Sequence, residues 1–224
     1  MIKVNNLKKV FSYGDVNTVA LGGISLEINN GEFVAIMGPS GCGKTTLLNI
    51  LGLLDNPTEG SYLLNGVEVA NLKESQRTDL RKGKIGFIFQ SFNLIDELNV
   101  EQNVELPLKY MGMPAEERQA KVLDVLRRVN MSHRRAHFPN QLSGGQQQRV
   151  AIARAVVCEP LLILADEPTG NLDSKNGKEI MDLLAELNDD GTTIVMVTHS
   201  QRDASYAQRI VNILDGFLVE KTEL

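Results

Sequence analysis

The sequence is poor in cysteine and has neither a long apolar run nor a block of like charge. Two cysteines, Cys42 and Cys158, in 224 residues are too few for a disulfide framework. The longest apolar runs, at residues 161–165 and 194–197, are far shorter than the roughly 18 to 20 residues that span a bilayer. No apolar segment precedes Lys8, which argues against a secretory signal. We therefore expect a cytoplasmic chain that does not itself cross a membrane.

The charge balance is slightly acidic, with 23 Lys and Arg against 28 Asp and Glu and a net charge of −5. Because no basic block is present, the chain lacks an electrostatic footprint for DNA or RNA, and we expect no nucleic-acid partner. Hydrophobic residues at 42% and charged residues at 23% are typical of a folded chain. No internal repeat or low-complexity linker is visible, so residues 1–224 are predicted to form a single domain.

Apolar runs that alternate with amphipathic patterns predict an α/β fold with a mainly parallel core sheet. Four compact runs are typical of buried parallel strands: residues 33–37, 85–89, 161–165 and 193–197. Helical periodicity appears in two places: Val122, Val125, Leu126 and Val129, and again Ile180, Leu183, Leu184 and Leu187. Strands and helices in alternation are the pattern of α/β proteins.

Two further regions depart from this alternation. Short β-rich segments occur at residues 2–4, 19–28, 61–64 and 67–69. The turn Asn65-Gly66 between the last two predicts a hairpin, so we expect an N-terminal antiparallel β subdomain. Residues 91–155 contain no strand pattern of comparable strength and are predicted to form a helical subdomain inserted into the α/β core.

Residues 38–45 read GPSGCGKT and match the pattern G-x-x-x-x-G-K-[ST]. An apolar run precedes them and a helical segment at 46–51 follows, which is the strand–loop–helix context that the pattern requires. Lys44 is expected to reach the β and γ phosphates, and the Thr45 hydroxyl to bind Mg²⁺. The motif predicts a nucleoside triphosphate site formed by Gly38, Ser40, Gly41, Cys42, Gly43, Lys44, Thr45 and Thr46.

The apolar run at 161–165 ends in two adjacent carboxylates, Asp166 and Glu167. Neighbouring side chains on a strand point to opposite sides. Asp166 is therefore expected to face Mg²⁺, while Glu167 faces a water in line with the γ-phosphate and acts as general base. The alternative is a helix start, because Asp-Glu-Pro is also typical of helix N-termini.

A second glycine-containing helix start follows Leu142. Ser143 is a natural N-cap, and the glycines after it expose backbone N–H groups that can bind an anion. Only the loop with Lys44 has a cation and a metal-binding hydroxyl, so we expect the second start to close over a phosphate held by another copy of the chain. This predicts a homodimer with ATP between the two chains, contacted by Ser143, Gly144, Gly145 and Gln146. The alternative is a capped helix that follows a loop.

Taken in their order along the chain, these motifs resemble those of the ATP-binding cassette (ABC) ATPases, and the resemblance covers essentially the whole chain. Longer strings at residues 31–38, 102–108, 141–155 and 164–174 are similar to the macrolide exporters and lipoprotein-releasing systems. The resemblance implies an ATPase that uses ATP and Mg²⁺ and drives a separate transmembrane permease subunit from the cytoplasmic face of the inner membrane. An ABC ATPase that regulates a non-transporting membrane protein, such as a cell-wall hydrolase controller, remains an alternative.

The resemblance also implies roles for single residues. Tyr13 matches the aromatic residue that stacks on adenine, although a solvent-facing tyrosine is an alternative. Gln90 matches the glutamine that touches the metal and the attacking water, His199 the histidine that contacts the γ-phosphate, and Asp173 the residue that links the two sites of the dimer. Catalysis is thereby assigned to Glu167, His199, Gln90 and Lys44. The metal is assigned to Thr45, Gln90 and Asp166.

Two further hypotheses concern the surroundings of these motifs. The apolar stretch after Gln90, formed by Phe92, Leu94, Ile95 and Leu98, either docks the membrane subunit or forms part of a helical core. Cys42 either carries a thiolate favoured by the helix N-terminus and Lys44, or is a small residue that fills a variable loop position.

Overall fold

The computed structural model describes residues 1–14 and 16–219, without the side chain of Tyr13. The strands in this part are β1 Ile2–Tyr13, β2 Val16–Ile28, β3 Phe33–Met37, β4 Glu59–Leu64, β5 Val67–Glu68, β6 Ile85–Phe89, β7 Leu162–Asp166, β8 Thr193–Val197, β9 Arg209–Leu214 and β10 Phe217–Val219. The α-helices are α1 Lys44–Leu51, α2 Glu74–Arg81, α3 Val100–Tyr110, α4 Ala115–Arg128, α5 Gly144–Val156, α6 Ser174–Asp189 and α7 Gln201–Ala204. Among these residues, no helix has the length and apolar character that a bilayer crossing requires.

The chain divides into two compact units, one made of Met1–Arg81 with Thr193–Leu224 and the other of Lys82–Thr192. In the first unit, an antiparallel sheet has the strand order β2-β1-β4-β5. A second, mixed sheet places β3 between β8 and β9, parallel to both, with β10 antiparallel on β9. The α/β fold and the N-terminal antiparallel sheet agree with the sequence analysis.

The interior of the first unit lies around β3 and β8. Residues Phe33 to Ile36 of β3 and all five residues of β8 are buried, as continuous apolar strands covered on both faces must be. Their bounds are those predicted from sequence. The hairpin between β4 and β5 also forms as predicted, with positive φ angles of 49° at Asn65 and 79° at Gly66.

The first strand is longer than the predicted segment 2–4. Ile2 and Val4 face the core in alternation, but the next core residue is Leu7, because the register shifts between Val4 and Leu7. Asn6, at the shift, has a φ of +48°. Such a bulge moves the alternation by one residue and hides the continuation of the strand from a period-two pattern.

The second unit combines a parallel pair of strands with helices. β6 pairs with β7 from Ile85 opposite Leu162 to Phe89 opposite Asp166. The predicted bounds of β6 are confirmed, whereas those of β7 were wrong by one residue. Leu161 precedes the strand and is 53% exposed, and the strand extends through Asp166. Residues 91–155 contain helices and no strand, as expected, while their separation as a subdomain stays a prediction.

Candidate nucleotide-binding site

The loop between β3 and α1 depends on glycine at defined positions. Gly43 is the N-cap of α1 and has a φ of 102°, and a Cβ atom there would lie 2.3 Å from the Ala20 carbonyl oxygen. A Cβ on Gly38 would lie 2.1 Å from the Ile213 carbonyl oxygen. Both approaches are too close for any side chain, so the backbone follows a path that only glycine permits. The strand–loop–helix context predicted for residues 38–45 is confirmed.

Lys44 is the first residue of α1, and its side chain folds back over the loop. Its Nζ donates hydrogen bonds to the carbonyl oxygens of Gly38 and Pro39, both at 2.8 Å, and the residue is only 9% exposed. The ammonium charge therefore lies inside the loop, next to the N-terminal end of α1 with its partial positive charge. This arrangement concentrates positive potential where a phosphate is expected.

Cys42 lies inside the same loop and is 4% exposed. Its Sγ is 4.0 Å from Lys44 Nζ and 2.7 Å from the position of a Cβ on Gly38. The thiol thus fills space between the loop backbone and the lysine. This burial favours the interpretation of Cys42 as a small packing residue.

His199 follows β8 at the same sheet edge as the loop. β3 and β8 are parallel, with Ile36 opposite Val197, so the segments that leave their carboxyl ends emerge side by side. The residues on either side of His199 are held: the Thr198 amide donates to Ile36 O at 3.1 Å, and the Ser200 amide donates to Thr198 Oγ1 at 3.0 Å. The first unit therefore brings His199 and the glycine-rich loop to one edge.

Gln90, Asp166 and Glu167 come together in the second unit. Phe89 lies opposite Asp166 in the parallel pair, so Gln90 and Glu167 are the residues that follow at the same edge. β7 ends at Asp166, and Glu167 has a φ of +49°. The strand alternation expected for the two carboxylates therefore does not extend to Glu167. A left-handed backbone costs a non-glycine residue about 1–2 kcal/mol.

Gln90 has a polar partner that the sequence analysis missed. Its Nε2 donates to Asn171 Oδ1 at 3.2 Å, while Asn171 Nδ2 donates to Gln90 O at 3.0 Å. Asn171 lies in the string at residues 164–174 that resembles the exporters, but it is 81 positions from Gln90 and nothing in their spacing indicates a contact. The hydrogen bonds of Gln148, on α5, to Phe89 O and Pro168 O were missed for the same reason.

The start of α5 is a complete capping box. Ser143 Oγ accepts a hydrogen bond from the Gln146 amide at 3.3 Å, and Gln146 Oε1 accepts one from the Ser143 amide at 3.0 Å. Ser143 itself is exposed. Gly145 is buried, and a Cβ there would lie 2.4 Å from Asn176 Oδ1, so the glycine lets the helix start approach α6 closely. The predicted N-cap at Ser143 is confirmed.

Asp173 caps the next helix, α6. Its Oδ1 accepts hydrogen bonds from the amides of Lys175 and Asn176 at 3.0 and 2.9 Å, and its Oδ2 accepts one from Asn176 Nδ2 at 2.6 Å. The backbone hydrogen bond from Asn176 is the main cause that lowers the pKa of Asp173 below its ordinary value. Its implied role across a dimer stays a prediction. The side chain of Tyr13, proposed to stack on adenine, lies outside the described residues.

The apolar stretch after Gln90 forms an ordered loop before α3 rather than a helix. Phe92, Leu94 and Leu98 are half-buried, and Ile95 is 38% exposed. Asn103, fully buried on α3, accepts a hydrogen bond from the Ile95 amide at 2.8 Å and donates to Leu98 O at 2.8 Å. The loop therefore keeps a fixed shape while its apolar side chains stay partly accessible, and both the docking role and the core role stay predictions.

Comparison with known proteins identifies this combination of motifs. A family model described as "ABC transporter" matches residues 21–170. The chain belongs to the ABC transporter family. The segment matched by the model includes the glycine-rich loop, Gln90, the capped start of α5 and the two carboxylates, so the cassette's main motifs lie within the family pattern.

Relatives of this cassette are ATP-binding proteins of transporters. The chain is 49% identical over 219 residues to the uncharacterized ABC transporter ATP-binding protein YknY of Bacillus subtilis, covering 98% of this chain and 95% of that protein. It is 50% identical over 220 residues to the macrolide export ATP-binding/permease protein MacB of Bdellovibrio bacteriovorus, where it covers 97% of this chain but 33% of MacB. This ABC cassette thus corresponds in length to YknY and to one third of MacB.

Solved structures of one relative share the fold of this cassette. MJ0796 of Methanocaldococcus jannaschii, described as a dimeric post-hydrolysis state bound to ADP and Pi, has a TM-score of 0.91 at 47% identity and covers 98% of this chain and 97% of that chain. A second dimeric structure of MJ0796 has the same TM-score at 48% identity. The cassette therefore has the ABC ATPase fold and is an ATP-binding subunit of the transporter type.

Proposed function

We propose that this ABC cassette hydrolyses ATP to ADP and phosphate as a homodimer that closes around two ATP molecules and drives a separate transmembrane subunit. The observation that carries the proposal is the contrast between two helix starts. The start of α1 has a buried cation, Lys44, whereas the start of α5 has the exposed, uncharged Ser143. Each start supplies what the other lacks, so two copies can complete each other's sites. The dimers reported for MJ0796, one with ADP and Pi, support this reading.

The residues assigned to Mg²⁺ suit that ion. Thr45, Gln90 and Asp166 offer a hydroxyl, an amide oxygen and a carboxylate, and Mg²⁺ prefers such oxygen ligands. The described residues include no cluster of three or more His, Cys, Asp or Glu that could hold a metal. An ion bound here would take few ligands from the protein and the rest from phosphate and water, which is usual for Mg²⁺ at nucleotide sites. When bound, it would neutralise negative charge on the β and γ phosphates.

The chain's own residues supply positioning and charge. Lys44 and the N–H groups at the start of α1 hold the phosphates, and His199 contacts the γ-phosphate from the edge of β8. Glu167 accepts the proton of the attacking water, which Gln90 helps to orient. Ser143 to Gln146 of the second copy close over the γ-phosphate, and Asp173 lies near the contact between copies. Tyr13 stacks on the adenine ring.

The transmembrane partner is a permease subunit, and the cassette works at the cytoplasmic face of the inner membrane. MacB is named as an ATP-binding/permease protein, and this chain matches one third of it, which leaves most of MacB for other functions. We infer a permease subunit as the partner of this chain, and the loop with the partly exposed Ile95 is the candidate for docking it. The names of the relatives give no support to the alternative of a cell-wall hydrolase regulator.

Replacement of Glu167 by glutamine tests the assignment of the general base. Glu167→Gln keeps the size of the side chain but removes the proton acceptor, so we expect hydrolysis to fall by about 100-fold or more. ATP binding stays intact. Because hydrolysis no longer reopens the dimer, size-exclusion chromatography with ATP and Mg²⁺ should show a dimer that is absent without ATP.

Glu186→Gln is the matched control, since Glu186 is an exposed carboxylate near the carboxyl end of α6 and belongs to none of the motifs. It should hydrolyse ATP at the rate of the unmodified protein. Normal hydrolysis by Glu167→Gln would remove Glu167 from its role. If Glu167→Gln is inactive yet remains a monomer with saturating ATP, the shared-site dimer is wrong.

A further inference from the structure

Gln148 is a fully buried amide on α5 that joins two catalytic segments. It is 0% exposed, and its Nε2 donates to Pro168 O at 2.6 Å and to Phe89 O at 3.4 Å. Pro168 directly follows Glu167, and Phe89 directly precedes Gln90. One side chain thus holds the backbone next to the proposed base and the backbone next to the proposed water-orienting glutamine.

The free-energy cost of burying the Gln148 amide indicates that its hydrogen bonds from Nε2 have a role. In the described part of the chain, Gln148 Oε1 is buried and accepts no hydrogen bond. A buried polar atom without a partner costs about 1–3 kcal/mol, so an apolar residue of similar size would fill the space more cheaply. What an apolar residue cannot provide is the pair of hydrogen bonds from Nε2 to the two segments.

Asn171 ties the same two segments together a second time. Its reciprocal hydrogen bonds with Gln90 link the residue after β6 to the segment that follows Glu167. Gly170 allows the close approach, because a Cβ there would lie 2.7 Å from Gln90 Nε2. The bond from Gln90 Nε2 to Asn171 also fixes the orientation of the glutamine amide, which leaves its Oε1 as the atom available to a metal or water.

We propose that Gln148 and Asn171 form an amide clamp that positions Gln90 and Glu167 as one body for the hydrolytic step. The inference rests on the proposed function, since it assigns a positioning role toward the same reaction. The clamp also reaches α5, whose start at Ser143 is expected to meet the second copy. Ser143 and Gln148 are five residues apart on a continuous helix, about 7.5 Å along its axis. A displacement of α5 on dimer closure therefore moves the hydrogen bonds that hold both catalytic residues.

The clamp predicts that its loss slows turnover without weakening ATP binding. Gln148→Met keeps the size and burial of the side chain but removes both donors, and Asn171→Ala removes the tie to Gln90 from the exposed side. We expect each variant to lower kcat by about tenfold, with the KM for ATP within twofold of the unmodified protein. In the double variant, kcat should fall by less than the product of the two single fold-losses, because both residues hold the same two segments.

Steady-state ATPase assays on the full chain, normalised to the concentration of ATP-binding sites, measure these values. A residue that only supports the fold would lower the number of binding sites rather than kcat per site. In a Glu167→Gln background, both variants should still form the ATP-dependent dimer, which separates positioning from assembly. Gln147→Met is the matched control: Gln147 lies next to Gln148 on α5, but its Nε2 donates to Leu142 O at 3.2 Å rather than to Phe89 O or Pro168 O. It should keep kcat within twofold.

The outcomes separate the clamp from the proposed function. If the unmodified chain hydrolyses ATP and Glu167→Gln dimerises, but Gln148→Met and Asn171→Ala keep kcat within twofold, the clamp alone is overturned. Equal kcat losses in Gln147→Met and Gln148→Met would also overturn it. Should Gln148→Met fail to fold, the kcat of Asn171→Ala decides, because that side chain is exposed. An unmodified chain without ATPase activity would instead contradict the proposed function.

Discussion

The N-terminal ends of α1 and α5 differ in how the chain itself caps their backbone N–H groups. Before α1 stands Gly43, which has no side chain to cap the helix, and after it the buried Lys44 adds a positive charge. Before α5 stands Ser143, which exchanges two hydrogen bonds with Gln146 and leaves the helix capped by its own residues. A helix start without a side-chain cap suits a ligand anion, whereas a self-capped start is stable by itself and can be presented to another molecule.

The glycines of the two starts differ in the same sense. Gly43 has a left-handed backbone and lies against the Ala20 carbonyl, whereas a Cβ on Gly144 would meet its nearest neighbour, Leu172 Cδ2, at an ordinary 3.4 Å. At position 43, the α1 loop therefore has no room for a side chain. At α5 the chain needs glycine for close approach only at Gly145. Similar glycine-rich sequences thus serve a ligand loop whose backbone requires glycine in one place and a packed helix start in another.

Gly43→Ala should produce the largest loss of stability and so tests whether the α1 loop requires glycine at position 43. The added Cβ meets a backbone carbonyl at 2.3 Å and also requires a φ of 102°. We expect the free energy of unfolding to fall by about 3–4 kcal/mol, the sum of an overpacking term and a left-handed backbone term. Chemical denaturation followed by circular dichroism measures this change.

Gly41→Ala is the matched control in the same loop. Gly41 also has a positive φ, 82°, but a Cβ there would meet nothing within 4 Å. Its substitution should therefore cost only about 1–2 kcal/mol, the backbone term alone. Equal losses in the two variants would show that the collision with Ala20 is not what requires glycine at position 43.

Lys44→Met tests the charge that separates the two helix starts. Methionine keeps the apolar stem but removes the ammonium that now lies between two loop carbonyls, so the loop loses its cation. We expect the affinity for ATP to fall by about 100-fold, or about 2.7 kcal/mol. Isothermal titration calorimetry with ATP measures the loss, and Lys73→Met, at an exposed lysine, should leave the affinity unchanged. Unaltered binding by Lys44→Met would assign the phosphate site to other groups.

Sequence reasoning succeeded for elements whose pattern is continuous. The bounds of β3, β6 and β8 were predicted because buried parallel strands are apolar at nearly every position. It fell short at β1, where the bulge near Asn6 breaks the alternation, and at Leu161, an apolar residue that the fold leaves exposed. Periodicity cannot report a register shift or the exposure of a single residue.

The candidate site divides in the same way. Lys44, Ser143 and the two carboxylates stand in short motifs whose local chemistry can be read from neighbouring residues. The contact between Gln90 and Asn171, 81 positions apart, and that between Gln148 and Phe89, 59 apart, arise only when the strands pair. Side-chain amide hydrogen bonds over such separations leave no periodic pattern. The left-handed backbone at Glu167 is likewise a property of the folded chain.

Ser143→Ala should have the smallest effect and completes the comparison of the two helix starts. It removes the hydrogen bond to the Gln146 amide, and loss of a serine cap costs about 1 kcal/mol of folding stability. ATP affinity of the single chain, measured by calorimetry at concentrations too low for dimerisation, should stay within twofold, since the cation site lies at α1. Ser75→Ala, at an exposed position of α2, should change stability by less than about 0.5 kcal/mol. A reduced ATP affinity of the single chain would mean that Ser143 contacts the phosphate site of its own copy. The proposal that α1 binds phosphate in one copy while α5 acts on the other copy would then be wrong.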